Sequence, residues 1–164
     1  MSETMNAVIV REHGGIDKLL FEDAPKPEIR ADEVLINVQA SGINHLDLWI
    51  RKGVPGHKFP LPMILGTDIA GTVAAKGELV DNVEIGDRVA VMPGFAKPTS
   101  EEAMSGNIHL ARDYGIFGET RSGGCAESMD AHALNLIPLP GWISFTAAAA
   151  SPLECPPACA RLPH

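Results

Sequence analysis

EVLINVQASGINHLDLWIRKG, residues 33–53, joins the clearest strand of this sequence to its clearest helix. Within residues 33–40, Val34, Ile36 and Val38 recur at every second position. That spacing is typical of a strand that buries one face and exposes the other. The first part of the stretch therefore predicts a half-buried β-strand.

A short helix is predicted in the second part of the same stretch. Leu46, Trp49 and Ile50 fall at helical spacing. Asn44 is a favourable N-cap residue, and Gly53 can end the helix in a conformation that other residues avoid. We therefore predict about two helical turns after Asn44.

Outside this stretch, short apolar runs alternate with turn residues. The chain has 16 Gly and 13 Pro among 164 residues, which favours many turns and few long helices. We also predict a polar lobe over 95–112 with one helical turn, and a helix that begins at Ser144 and continues to Ala150. Many short strands separated by turns indicate a mainly β fold with short helices, arranged as a small barrel or folded sheet. The other predicted strands cover residues 7–10, 19–22, 64–74, 88–91 and 134–137.

Charge and composition limit the possible partners. Asp and Glu outnumber Lys and Arg by 21 to 13, which gives a net charge of −8. This balance, with no basic run, argues against nucleic acid or an anionic membrane surface as a partner. The N-terminus lacks the pattern of a signal peptide, and no apolar stretch is long enough to span a membrane. Three cysteines do not form a secreted disulfide framework, so we expect a soluble cytoplasmic protein.

Six short motifs follow one another in a defined order. They are SGINHLDLWIRKG, LGTDIAGTV, GDRV, YGIFGE, GGCAES and NLIPLP. In this order they resemble the N-terminal GroES-like domain of the medium-chain dehydrogenase/reductase superfamily, which includes the zinc alcohol dehydrogenases and the quinone oxidoreductases. The resemblance covers roughly residues 5–150. It implies a GroES-like, partly open β-barrel whose substrate cleft faces a second, Rossmann domain that binds NAD(P)H.

The resemblance also implies a domain division. Residues 1–150 are predicted to form the substrate-side domain, and residues 151–164 a truncated or altered start of the missing nucleotide-binding domain. Such a domain needs a G-x-G-x-x-G turn whose backbone N–H groups meet the pyrophosphate, and the sequence contains none. We therefore expect the chain to be inactive alone, so membership of an oxidoreductase family does not by itself make this chain an enzyme.

Four polar residues are the candidate site. The resemblance places a zinc-ligating Cys of the metal-dependent members at Asn44 and their His-Glu pair at Thr67-Asp68, and neither Asn44 nor Thr67 is a usual zinc ligand. Asn44, Asp47, Thr67 and Asp68 instead match the zinc-independent, quinone-reductase-like members, in which polar side chains line the cleft. Hydride transfer there needs positioning and a polarised carbonyl or alkene. We predict all four as cleft-lining residues, Asn44 also as a cofactor contact, and no bound metal.

Three of these residues also have a structural alternative. Asn44 can cap the helix, and Asp68 can be a buried structural carboxylate. Asp47 and His45 can serve the start of the helix, where an acidic side chain complements the dipole. A third possibility is that His45, Asp47 and Asp68 gather around a metal ion.

The predicted lobe holds a structural zinc on four cysteines in many relatives. Those positions fall here near Lys97, Ser100, Ala103 and Ala111, and none of these side chains replaces a thiolate. The resemblance therefore implies a metal-free lobe, which we expect to be loosely ordered. Cys125 is predicted to be a small buried hydrophobe.

The predicted function is the substrate side of an NAD(P)H-dependent oxidoreductase, similar to an alcohol dehydrogenase or quinone reductase. Its substrate would be a small carbonyl or alkene compound. One alternative is a stand-alone, non-catalytic binding or scaffold module, because the fold family includes the ring-forming co-chaperonins. A metal-dependent fragment with unconventional ligands is another. A homodimer is compatible with the sequence, which determines neither the substrate nor the choice between NADH and NADPH.

Overall fold

The computed structural model describes residues 3–150 and residue 152. Within these residues, short strands and turns predominate. The strands are β1 (Thr4–Val10), β2 (Leu19–Pro25), β3 (Glu33–Gly42), β4 (Met63–Ile64), β5 (Asp68–Lys76), β6 (Arg88–Val91), β7 (Gly94–Phe95), β8 (Gly115–Ile116), β9 (Ser128–His132) and β10 (Leu136–Pro138). The helices are α1 (His45–Lys52), α2 (Glu101–Met104) and α3 (Phe145–Ala148), and 3-10 turns cover Ile16–Lys18, Ile108–Leu110 and Ala133–Asn135.

Two antiparallel sheets form the body of the domain. One has the strand order β2-β1-β4 and the other the order β10-β6-β5-β3-β9. Among the described residues, the edge strands β10 and β9 do not pair with each other, so the barrel is partly open. This confirms the fold class expected from the sequence.

The main core lies on the inward face of the five-stranded sheet. Val34 and Ile36 of β3 are fully buried and pack with Ile69 and Val73 of β5. Phe117, which follows β8, is the largest fully buried side chain and joins the same cluster. The period-two pattern of β3 therefore identifies the side of the strand that faces the core.

The predicted helix after β3 is present as α1. Asn44 is its N-cap, and Gly53 ends it with a φ of 78°, a conformation that favours glycine. Ile50 is the fully buried residue on the inner face of the helix, and it packs with Val10 and Met63. These contacts attach α1 to the first sheet.

The continuous strand predicted over 64–74 is wrong. β4 pairs with β1 in the first sheet, whereas β5 pairs with β3 and β6 in the second. Between the two strands, Gly66 has a φ of 96°. The chain therefore turns at Gly66 and crosses from one sheet to the other, which an apolar run with small residues does not reveal.

The prediction at 134–137 is wrong in its first half. Residues Ala133–Asn135 form a 3-10 turn, in which Leu134 N donates to His132 Nδ1 at 3.0 Å, and the strand begins only at Leu136. The sequence did not predict β9, because its Ser, Asp and His residues obscure the alternation of buried Met129 and Ala131.

The C-terminal predicted helix is shorter than expected. α3 ends at Ala148, and its N-cap Ser144 accepts a hydrogen bond from Ala147 N at 3.1 Å. The single helical turn predicted for the lobe is α2. None of the helices in the described part of the chain is long and apolar enough to cross a membrane.

Candidate functional site

The first turn of α1 is held by a reciprocal capping box. Asn44 Oδ1 accepts a hydrogen bond from Leu46 N at 3.2 Å, and Asn44 N donates to Asp47 Oδ2 at 2.7 Å. Two backbone N–H groups that a helix start leaves without partners are thus satisfied. The helix-capping alternative for Asn44 is therefore a structural fact, whatever further role this residue has.

Asp47 also binds the turn between β4 and β5. Its second carboxylate oxygen, Oδ1, accepts a hydrogen bond from Gly66 N at 2.9 Å. Asp47 is only 6% exposed, and burying a carboxylate is costly unless hydrogen bonds compensate. Both oxygens therefore fix backbone, one in α1 and one at the crossing between the sheets.

Asn44 and Asp68 are in direct contact. Asn44 Nδ2 donates to Asp68 Oδ2 at 3.4 Å, a long hydrogen bond. Asp68 is 4% exposed at the start of β5, where it pairs with Gly42 of β3. Asn44 is half-buried, so it is the most accessible of the four candidate residues. The structure thus places Asn44 at the surface of the site and Asp68 behind it.

Thr67 lies between Gly66 and Asp68 and is fully buried. Its Oγ1 has no hydrogen-bond partner among the described residues. An unsatisfied buried hydroxyl costs about 1–3 kcal/mol, so this group is an unusual feature of the site. The chain brings Thr67 beside the Asn44–Asp68 pair, but the side chain does not reach the surface.

Cys125 belongs to the neighbourhood of this site, which sequence reasoning did not predict. Its Sγ lies 3.8 Å from Ser41 Oγ, and its N donates to Leu65 O at 2.8 Å. Burial raises the pKa of the thiol above its ordinary value, which the contact with Ser41 opposes only in part. The thiol is therefore protonated at neutral pH and is not an activated nucleophile.

Two glycines allow backbone segments to meet at the site. A Cβ on Gly66 would lie 2.6 Å from Ser41 Oγ and 2.7 Å from Cys125 N. A Cβ on Gly42 would overlap the carbonyl oxygen of Ala149, which follows α3. The end of α3 therefore contacts the chain two residues before Asn44, and the small residues of SGIN and LGTD were the sequence signal for these contacts.

The side chains at this site do not suit zinc. Asn44 and Thr67 supply neither imidazole nor thiolate, and Asp47 uses both oxygens on backbone N–H groups. His45 is exposed and contacts Trp49 edge-on, with ring centroids 5.0 Å apart. Over residues 3–150, no three His, Cys, Asp or Glu side chains come together as a metal-binding group. Cys155 and Cys159 lie outside the described residues.

Hydrogen bonds order the lobe and the segment that leads into it. Asp113 Oδ2 accepts from Lys97 N at 3.0 Å, and Ser100 Oγ accepts from Ala103 N at 3.1 Å. From the barrel side, Asn135 Nδ2 donates to Gly94 O at 2.8 Å and to Met92 O at 3.0 Å. At the four positions where the resemblance places the zinc-ligating cysteines of relatives, this chain has two alanines, a lysine that donates through its backbone and a serine that caps α2.

Known proteins are similar to this chain in both sequence and structure. Residues 30–141 match the family model of the alcohol dehydrogenase GroES-like domain. D-arabinose 1-dehydrogenase (NADP(+)) of Saccharolobus solfataricus is 36% identical over 114 residues, which are 69% of this chain and 32% of that protein.

Two solved structures extend the comparison. An NAD-dependent alcohol dehydrogenase superposes with a TM-score of 0.86 at 42% identity, over 91% of this chain and 43% of that one. The cobalt- and zinc-bound thermostable alcohol dehydrogenase from Pyrobaculum aerophilum gives 0.81 at 29% identity, over 92% of this chain and 45% of that one. This chain spans about a third of the curated relative's length and less than half of each of the two solved structures.

Proposed function

This chain belongs to the alcohol dehydrogenase GroES-like domain family, and from that membership we propose that it forms the substrate side of an NAD(P)-dependent oxidoreductase. Its substrates would be small carbonyl or alkene compounds, and the site would work without a metal. The observation that carries the proposal is the Asn44–Asp68 hydrogen bond. It joins two of the positions at which the resemblance places ligands of the zinc-using members, and neither Asn44 nor Thr67 supplies a usual zinc ligand.

The four candidate residues differ in how deeply they are buried, and their proposed roles follow from that difference. Asn44 would contact the substrate and the nicotinamide, because it is the accessible member of the group. Asp68 would orient the Asn44 amide through Nδ2, and Asp47 would fix the backbone on both sides of it. When bound, the nicotinamide exchanges a hydride with the substrate. What this chain would contribute is the position of the reacting group, since catalysis of this kind depends strongly on orientation.

The nucleotide would be bound by polypeptide outside residues 1–150. The sequence contains no G-x-G-x-x-G turn, and it matches about a third of the curated relative. We therefore propose that residues 1–150 are the substrate-side domain and that 151–164 are a truncated or altered start of the nucleotide-binding domain. The chain would then not turn over alone.

The test compares the chain with a completed form of it. Residues 1–150 are fused to the remaining part of the NAD-dependent alcohol dehydrogenase that superposes at 42% identity. Each protein is mixed with NADH or NADPH and a quinone or an enal, and the absorbance of the reduced cofactor is followed. We expect turnover by the fusion and none by the 164-residue chain.

Substitutions in the fusion identify the residue that acts. Asn44→Ala is expected to lower kcat/KM by about tenfold to a hundredfold, because a misplaced substrate costs rates of that order. Asn37→Ala, at an exposed residue of β3, is the matched control and should leave kcat/KM unchanged. Turnover by the chain alone, or an Asn44→Ala fusion as active as the parent, would contradict the proposal. A large ring-shaped species in light scattering would favour the scaffold alternative instead.

A further inference from the structure

A cavity lies between the lobe and the barrel. Its volume is about 300 Å³, at the lower end of the range for small-molecule sites, and none of the four candidate site residues lines it. Half-buried Phe95 is the accessible aromatic side chain of the wall, and it packs on fully buried Phe117 behind it, with ring centroids 4.8 Å apart and planes tilted by 44°. The ring of Phe95 offers favourable edge or face contacts to another flat ring.

Glu33, the buried carboxylate of this cavity, is already ion-paired with an arginine. It is 3% exposed, and its Oε1 accepts from Arg121 at 2.8 Å. Arg121 also pairs with Asp130. Burial alone raises the pKa of Glu33, but the hydrogen bonds from Arg121 and from the backbone of Arg30 outweigh it and hold the pKa below its ordinary value. Arg121 thus serves both carboxylates, and the three groups together keep one negative charge.

The two outer carboxylates of the cavity also have partners. Asp32 Oδ2 lies 3.3 Å from His132 Nε2, and Asp113 Oδ2 accepts from Lys97 N. Each carboxylate that lines the cavity therefore already contacts a donor group.

Two cationic residues line the cavity without a side-chain hydrogen bond to any of these carboxylates. Among the described residues, Arg30 and Lys97 form hydrogen bonds as donors only through their backbone N–H groups, to Glu33 and Asp113. Both are exposed residues on the cavity lining. The guanidinium of Arg30 also lowers the pKa of Glu33 through space. The cavity therefore offers the side-chain donors of Arg30 and Lys97 to a ligand that carries hydrogen-bond acceptors.

We propose that this cavity binds a small planar anion of the aromatic carboxylate class. The carboxylate would accept hydrogen bonds from Arg30 and Lys97, and the ring would lie against Phe95. Charge-assisted hydrogen bonds of this kind are stronger than neutral ones, and arginine presents a fork that matches a carboxylate. The site would be separate from the Asn44 site and independent of the proposed oxidoreductase function.

The experiment is an NMR titration of the ¹⁵N-labelled 164-residue chain at low ionic strength. Benzoate is compared with benzamide, which has the same ring and nearly the same size but no charge. We expect saturable benzoate binding in the millimolar range, with shifts centred on Phe95, Lys97 and Phe117, and benzamide binding about tenfold weaker.

Variants identify the charges responsible. Arg30→Gln combined with Lys97→Gln should weaken benzoate about tenfold and leave benzamide unchanged. Lys58→Gln, at an exposed lysine that does not line the cavity, is the control and should bind benzoate like the parent chain. Unchanged amide signals outside the cavity show that the variants fold. Equal binding of benzoate and benzamide, parental benzoate affinity in the double variant, or the absence of saturable binding would overturn the proposal.

Discussion

Replacing Asp47 by Asn tests the link between α1 and the crossing of the sheets. In the parent chain the two carboxylate oxygens accept from Asn44 N at 2.7 Å and from Gly66 N at 2.9 Å. An asparagine keeps one acceptor oxygen and turns an NH₂ group toward the other backbone N–H. One charge-assisted bond is lost and one buried donor is left unsatisfied, each worth about 1.5–3 kcal/mol. Since these losses overlap, we expect Asp47→Asn to lower the free energy of unfolding by about 2–4 kcal/mol.

The assay is urea unfolding at neutral pH, combined with hydrogen exchange of the Gly66 amide. Asp23→Asn is the matched control, because Asp23 is an exposed carboxylate of β2. It should change stability by less than about 0.5 kcal/mol, as surface substitutions do. The Gly66 amide should exchange faster in Asp47→Asn, since it loses its acceptor or keeps a weaker, neutral one. A stability loss below about 0.5 kcal/mol with unchanged Gly66 exchange would refute this reasoning.

Three further predictions concern single positions. Gly42→Ala places a Cβ against the carbonyl of Ala149, so it should lower the free energy of unfolding, measured by thermal unfolding, by about 1–3 kcal/mol. Gly141→Ala, in open space, should leave the free energy of unfolding unchanged. The pKa of Glu33 is lower in the folded chain than its ordinary 4.5, so its stabilising contribution is present above that pH and is lost as the pH falls further. Glu33→Gln should therefore remove part of the acid-induced fall in stability, measured by urea unfolding at about pH 7 and about pH 3. Thr67→Val removes a buried hydroxyl without a described partner, so stability should be unchanged or about 1 kcal/mol higher; a loss above about 1 kcal/mol would indicate an unseen hydrogen bond.

Local sequence rules predicted the elements whose determinants are close in sequence. The alternation of Val34 and Ile36 identified the buried face of β3, and Asn44 and Gly53 gave both ends of α1. In each case the decisive contact is made within a few residues, so that propensity and period carry the information.

Elements that depend on distant partners were not predicted. The break between β4 and β5 is stabilised by Asp47, which lies 19 residues away from the Gly66 N–H that it accepts. No pattern within 64–74 contains that contact. β9 was missed for the same reason. Its own alternation is weak, and the strand is defined by its pairing with β3, which is distant in sequence.

The sequence predicted that four polar residues lie near one another, but not which of them is accessible. The resemblance singled out Asn44, Asp47, Thr67 and Asp68, and the structure places all four at the junction of α1, β5 and the turn before β5. The surrounding sheets bury three of the four residues and leave Asn44 accessible. Local sequence patterns do not reveal this tertiary burial. The roles of these residues in a reaction remain predictions.

The most direct test of the central claim is the metal dependence of hydride transfer by the fusion described above. The rate is measured before and after treatment with a strong chelator, together with the zinc content of the protein. We predict a rate that changes by less than about twofold, because the side chains at positions 44 and 67 cannot ligate zinc. Asn44→Cys combined with Thr67→His in the same fusion should bind zinc and lose it to the chelator. A parent fusion that loses its activity with the chelator and regains it with added zinc would contradict the account.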